Sequence, residues 1–260
     1  MSETQFLPFH ELQITYEGHV ARVEFSRPQH NFFTLDLLVG LAEAFEHLDS
    51  LPQVRATILA SAGKSFCAGA DFNDAHARDP QLPRRIYEAG LRLFSLKKPM
   101  IAEIQGAAVG GGLGLALVAD FRVAGDNARF VANFNRLGFH PGFGLSTTLP
   151  RLIGQQQAAM LLYTGRRVKA DEALRLGLAD MHVGADELRA AAMALAQDIA
   201  LSAPLAVQST RATLRTGLAD AVRQASLRES SEQEWQLKTE DFMEGVNAMT
   251  ERRDPVFKGR

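Results

Sequence analysis

Apolar and polar residues alternate over Leu12–Tyr16 and again over His19–Phe25, with Glu17-Gly18 between the two runs. A period of two puts every second side chain on one face, so the spacing predicts a β-hairpin, ended by Arg27-Pro28. The period then changes. Thr34 precedes apolar positions at Leu35, Leu38, Leu41, Phe45 and Leu48, the spacing of one helix face, and Leu51-Pro52 stops it. Two short apolar-rich runs, Ala56–Ala60 and Met100–Ile104, read as buried strands, with a helix predicted between them over Arg84–Ser95. The polar stretch Asn73–Pro83, which contains Asp79-Pro80 and Leu82-Pro83, reads as a mobile loop near a site.

Beyond Pro150 the strand signals mostly vanish. Gln155–Tyr163, Ala170–Leu176, Asp186–Leu201, Pro204–Thr216 and Asp220–Lys238 read as helices. Long helices with little core of their own often dock on a neighbouring subunit, so an oligomer is expected.

Each of the two buried strands runs into a glycine-bearing segment: Ser65-Phe66-Cys67-Ala68-Gly69-Ala70-Asp71, and Gln105 through Gly110-Gly111-Gly112-Leu113-Gly114. Strand, glycine turn and helix thus occur twice, which points to a repeated β-β-α unit. The second segment lacks the G-x-G-x-x-G spacing and the Lys-Ser/Thr pair of nucleotide-binding loops. For either segment alone, close packing of a helix on a strand is a sufficient account of the glycines. As a pair they say more. Side chains this small leave main-chain N–H groups as the chemistry on offer. A helix starting near Gly111 aims its free N–H groups at whatever precedes it. If the two turns adjoin, the Ala70 N–H joins them, and two donors on one carbonyl oxygen form an oxyanion hole. The chemistry implied is activation of a carbonyl, most naturally a thioester.

Composition narrows the partners. The 260 residues are 46% hydrophobic and 22% charged, with net charge −2 and Lys and Arg scattered, so no nucleic acid is expected. The single cysteine, Cys67, excludes an internal disulfide and suits a reducing compartment. Met1–His10 has no signal-peptide pattern, and the most apolar run, Gly106–Ala119, is shorter than the roughly 20 residues that span a bilayer. A cytoplasmic protein with no membrane partner is expected.

The chain resembles the enoyl-CoA hydratase/isomerase (crotonase) superfamily. The matching residues are Gly63–Phe72, Lys98-Pro99-Met100-Ile101-Ala102 through Gly112, and Leu137-Gly138-Phe139-His140-Pro141-Gly142-Phe143-Gly144. Leu149–Gly154, Thr164-Gly165-Arg166, Ala173 through Asp180, Glu244–Ala248 and Phe257-Lys258-Gly259 carry the match to the end. The resemblance implies an α/β fold, the crotonase (ClpP-like) spiral of β-β-α repeats. Residues 1–200 would form the core, and 201–260 a C-terminal helical region that oligomerises and covers CoA. It implies a homotrimer or dimer of trimers and an acyl-CoA substrate, with coenzyme A as part of that substrate and no permanently bound cofactor or metal. Ala70 and Gly111 fall where the family supplies its two N–H donors. Ala68, Asp71, Phe72 and Asn73 fall where it contacts CoA, and Lys258 near where a C-terminal lysine approaches the nucleotide end. Lys64 is a weaker phosphate candidate.

Typical hydratases of this family use two glutamates to direct water and deliver a proton. The resemblance places Gly114 and Phe134 at those positions, and Gly142 in the turn where some isomerases keep a carboxylate. His140 is the first substitute, since an imidazole suits acid–base work, although a histidine bonded to backbone in a tight turn explains it too. Asp74 and His76, on the polar loop, come second. Cys67 reads as a small buried thiol. Asn133 and Asn135 can orient water but cannot act as bases, and Glu88 by default lies on a solvated helix face. Phe134, with Phe32, Phe33, Phe139 and Phe143 if they line the pocket, implies a dry acyl site. The expectation is an enzyme that stabilises a thioester enolate and hydrates simple enoyl-CoA weakly or not at all. The alternatives are a histidine-assisted isomerase, decarboxylase or thioester hydrolase, and a non-catalytic acyl-CoA-binding subunit.

Overall fold

Two sheets share the strands of each repeat. The computed structural model describes residues 4–6, 11–69 and 82–260. In chain order the strands are β1 (Thr4–Phe6), β2 (Leu12–Glu17), β3 (Val20–Phe25), β4 (Ala56–Ser61), β5 (Ser65–Cys67) and β6 (Met100–Ile104). They continue with β7 (Ala107–Val109), β8 (Phe121–Gly125), β9 (Arg129–Val131), β10 (Arg167–Lys169) and β11 (Met181–Val183). The larger sheet runs β1-β2-β3-β4-β6-β8-β11 and the smaller one β10-β9-β7-β5.

The predicted hairpin is β2–β3, antiparallel, closing at the Glu17–Val20 pair with Gly18 in the left-handed region. From β3 onward the larger sheet is parallel. Parallel neighbours need crossovers, and helices supply them. The first is α1 (Leu35–Ser50), whose N-terminus the Thr34 hydroxyl caps by accepting the Leu37 N–H at 3.3 Å. Leu38, Leu41, Phe45 and Leu48 are all buried, as their spacing predicts.

β4 and β5, β6 and β7, and β8 and β9 each send one strand to each sheet. The first two pairs are followed by α2 (Leu82–Phe94) and α3 (Gly111–Ala116). This is the expected spiral of β-β-α units, with a helical C-terminal region. The loop expected at Asn73–Pro83 falls mostly outside the described residues.

After Pro150 the structure departs from the sequence pattern in three places. β10 and β11 are strands of three residues each, added to β9 and β8. Runs so short carry no alternation of their own and are set by the strand beside them. Next, α4 (Leu145–Thr164) begins ten residues before the helix read from Gln155. Gly154 leaves helical geometry inside it (φ 78°, ψ 158°), and that break is what the sequence pattern marks as a start. Last, α9 (Glu240–Glu251) is a helix absent from those read in the sequence. Thr239 caps it through the Phe242 N–H.

Between them lie α5 (Ala170–Leu176), α6 (Leu188–Leu201), α7 (Pro204–Leu214) and α8 (Leu218–Gln236). The Asp120 carboxylate, at the start of β8, accepts hydrogen bonds from Arg211 and Arg215 at 2.8 Å and from the Met100 N–H at 2.9 Å, which ties the end of α7 to the parallel sheet. Among the described residues, no single helix is long and apolar enough to cross a membrane.

Candidate active site

β5 and β7 pair in parallel, Ser65 with Ala107 and Cys67 with Ala108. The two glycine segments therefore leave the same sheet side by side. Their approach is too close for side chains. A Cβ at Gly106 would lie 1.9 Å from the Lys64 carbonyl oxygen, and one at Gly112 would lie 2.1 Å from that of Cys67. Close packing is thus a real function of these glycines, and it also brings the turns together. Gly69 has φ +94°, and a Cβ built there would sit 3.7 Å from the Gly111 nitrogen. Gly111 opens α3, where N–H groups have no partner within the helix. Ala70, together with Asp71, Phe72, Asn73, Asp74 and His76, lies outside the described residues.

The walls next to Gly111 are aromatic. One turn along α3, a Cβ at Gly114 would lie 2.8 Å from Phe143 Cβ and Cδ1. The Phe143 ring is buried and stands 5.7 Å from the Phe33 ring. Phe134 opens a 3-10 turn (Phe134–Leu137). It is buried, and its ring is edge-on to Phe139 at 5.4 Å, which meets Phe242 of α9 at 5.6 Å. A Cβ at Gly142 would lie 2.1 Å from the Tyr87 hydroxyl. Neither Gly114 nor Gly142 has room for a longer side chain unless these neighbours move.

His140 is half-buried in the segment between the 3-10 turn and α4. Its Nδ1 lies 2.8 Å from the Pro141 carbonyl oxygen. A carbonyl only accepts, so Nδ1 carries the hydrogen and the lone pair of the neutral ring sits on Nε2. The ring is oriented by backbone in a tight turn. Both main-chain groups of His140 are held from α8: its N–H donates to Gln236 Oε1 at 2.6 Å, and its carbonyl accepts from Gln233 Nε2 at 2.8 Å. Gln233 Oε1 in turn accepts the Tyr87 hydroxyl at 2.5 Å.

One turn back on α8, Glu229 is wholly buried. It accepts the Gly144 N–H at 2.7 Å, the Ser146 N–H at 3.0 Å and the Ser146 hydroxyl at 2.6 Å. The carboxylate therefore caps α4 from another element. Burial pushes its pKa up, against the downward pull of these donors and of nearby His140. Burial also raises the Tyr87 phenol, and Glu229 adds to that rise.

The sequence model described as enoyl-CoA hydratase/isomerase matches residues 15–260. The chain belongs to the enoyl-CoA hydratase/isomerase family. It is 35% identical over 257 residues to a protein of Salmonella heidelberg named carnitinyl-CoA dehydratase, covering 96% of this chain and 98% of that one. Among solved structures, an enoyl-CoA hydratase/isomerase from Pseudoalteromonas atlantica superposes with TM-score 0.85 at 30% identity, over 95% of this chain and 100% of that one. Pseudomonas aeruginosa DspI superposes with TM-score 0.77 at 34% identity, over 97% and 98% of the two chains.

Membership in this family makes the chain an acyl-CoA-binding enzyme. Of the expected CoA contacts, Ala68 is half-buried, and its N–H donates to the His30 carbonyl at 3.1 Å. The tail carrying Lys258 folds back on α9. The Lys258 and Gly259 N–H groups donate to the Asp241 carboxylate, and the lysine side chain stays exposed 3.9 Å from Glu240. Lys64 is exposed. Burial pushes the Cys67 thiol up to about 12, which keeps it protonated and a poor nucleophile. Glu88 faces solvent and pairs with Arg84 at 2.9 Å.

Sequence reasoning missed two sets of supporting residues. Asn31 is buried, and its Nδ2 donates to the Ala62 and Ser65 carbonyls at 2.6 and 2.8 Å, bracing the strand that leads into the first glycine turn. The other set is Glu229, Gln233 and Gln236. Their i, i+4, i+7 spacing marks one face of α8, a signal that reads as a solvated stripe until the loop it grips is known.

Proposed function

We propose that this enzyme binds an acyl-CoA thioester and stabilises its enolate between the N–H groups of Ala70 and Gly111. One observation carries the reading: a Cβ built at Gly69, the residue before Ala70, would lie 3.7 Å from the Gly111 nitrogen, where α3 begins. Removing a proton from the α-carbon moves negative charge onto the thioester oxygen, and two fixed donors stabilise it. Coenzyme A enters as part of the substrate, with Ala68, Asp71, Phe72, Asn73 and Lys258 as the candidate contacts. The exposed Leu201, Leu205, Met243 and Met249 support a role for residues 201–260 in assembly, as a homotrimer or dimer of trimers.

Hydration of simple enoyl-CoA is proposed to be weak or absent, because Gly114, Phe134 and Gly142 carry no acid or base. The expected result is little turnover of short straight-chain enoyl-CoA; rates ordinary for a hydratase would refute it. Gly114→Glu alone should not install hydration, since Phe143 fills the space its side chain needs. Incubation with an acyl-CoA panel in deuterated water tests the enolate itself. Deuterium uptake at the α-carbon is expected, and complete inertness would leave a binding subunit.

His140 is the proposed proton carrier through Nε2, acting in an isomerase, decarboxylase or thioester hydrolase. His140→Gln is expected to lower turnover by about a hundredfold or more while leaving CoA binding intact; unchanged turnover would remove it. A second reading, reversible water elimination, is favoured by the 35% identity to a protein named carnitinyl-CoA dehydratase. Release of water from a 3-hydroxyacyl-CoA would decide for it.

A further inference from the structure

Phe143 is buried in the core, but on a backbone that seldom carries so large a side chain. Its backbone is left-handed at φ +62°, unusual for a bulky side chain. The residues on both sides are glycines, yet the strained position holds phenylalanine. The ring fills a slot left open by glycines on two helices: a Cβ at Gly114 on α3 would lie 2.8 Å from the base of the side chain, and one at Gly90 on α2 would lie 2.7 Å from Cζ at its tip. Phe143 Cδ2 lies 3.9 Å from the Cβ position of Gly111, the proposed oxyanion donor. Behind the ring, the space among Gly90, Phe94 and Val222 is too tight for a water molecule. The backbone on the far side is anchored by Glu229 through the Gly144 and Ser146 N–H groups.

We propose that Phe143 is a specificity-determining residue whose ring blocks a slot between α2 and α3 and so limits the length of acyl group the site accepts. The inference rests on the acyl-thioester reading. A thioester oxygen held at the Gly111 N–H would direct the acyl chain toward the edge of this ring. With the ring in place the chain stops there. Without it, the slot lined by Gly90 and Gly114 continues the site beneath α2, and the two glycines that seat phenyl carbon would seat methylenes instead.

The test is equilibrium binding of a series of S-alkyl-CoA thioethers, from ethyl to decyl, to the full-length protein, with CoA as the reference. Wild-type affinity is expected to stop rising, or to fall, as the chain lengthens. Phe143→Ala should extend the rise, each further buried methylene adding about fourfold, so that decyl gains about tenfold or more over ethyl relative to wild type. CoA itself should bind unchanged. Gly90→Ala gives the reciprocal arm. Alanine favours the helix, and its methyl group, 2.7 Å from Phe143 Cζ, is expected to drive the ring tip toward the acyl side in a protein shown to be folded by its melting curve. The cut-off should then move to shorter chains. Parallel series in all three proteins would overturn the role of Phe143 and leave the thioester reading standing. If wild type bound every thioether no better than CoA, the thioester reading itself would fail. Should Phe143→Ala not fold, the Gly90→Ala series decides alone: a shift to shorter chains supports the proposal, and an unmoved cut-off overturns it.

Discussion

Gly112→Ala is expected to lower kcat/KM for thioester turnover by about a hundred- to a thousandfold, the usual cost of losing one oxyanion donor. The reason is steric and local. The new methyl group would stand 2.1 Å from the Cys67 carbonyl oxygen and 2.7 Å from its carbon, both backbone atoms that no rotamer change can move. Relief requires α3 and β5 to separate, and that separation is expected to move the neighbouring Gly111 N–H away from the turn at Gly69. Overpacking of this kind also costs about 1–3 kcal/mol of stability. Activity must therefore be measured on protein shown to be folded by its melting curve. CoA affinity is expected to fall less than turnover, since of the candidate CoA contacts only Ala68 adjoins the Cys67 carbonyl. A folded Gly112→Ala protein that kept turnover within about threefold would show that the position of α3 is not what the chemistry depends on.

Glu229→Ala is expected to be the most destabilising single change away from the glycine turns, on the order of 4 kcal/mol. It strips three donors of their acceptor, among them the buried Gly144 N–H, and leaves a void where the carboxylate was. For a chain of this length that corresponds to a fall in Tm of about 10 °C. Glu229→Gln keeps the shape but turns an N–H group toward one of the donors, so a smaller loss of about 1–3 kcal/mol is expected.

The pH dependence has a definite sign. Because burial raises the folded-state pKa, Glu229 in the folded protein holds its proton above the ordinary carboxylate range, where the unfolded chain has released it. Stability from this group is complete below that range and is lost as pH rises through the raised value. Glu229→Gln has nothing to titrate. The Tm advantage of wild type over Glu229→Gln should therefore shrink as pH rises. An advantage that grew with pH would mean that the Ser146 and Gly144 donors outweigh burial.

The sequence alone determined whatever depends on neighbours along the chain. The hairpin at Glu17-Gly18, the face of α1 and the two buried strands were legible because burial repeats with the period of the element that creates it. The glycine turns were legible as a pair because glycine in such quantity has few uses. The resemblance to the enoyl-CoA hydratase/isomerase family added the spiral, and the family match bears it out. His140 was legible as a histidine near a Pro-Gly turn, but its tautomer was not, because Nδ1 is set by a carbonyl whose direction only the folded turn fixes.

Tertiary structure decided the rest. β10 and β11 exist because β9 and β8 offer unpaired edges, which three residues cannot announce. Gly106 and Gly112 are required by carbonyl oxygens of Lys64 and Cys67, some forty residues earlier in the chain. Gly114 is empty of a side chain, and Phe143 fills that emptiness from a loop that Glu229 holds from α8. Local sequence encodes periodicity, whereas a close approach between distant segments is a property of two backbones at once. Neither segment carries that contact in its own pattern.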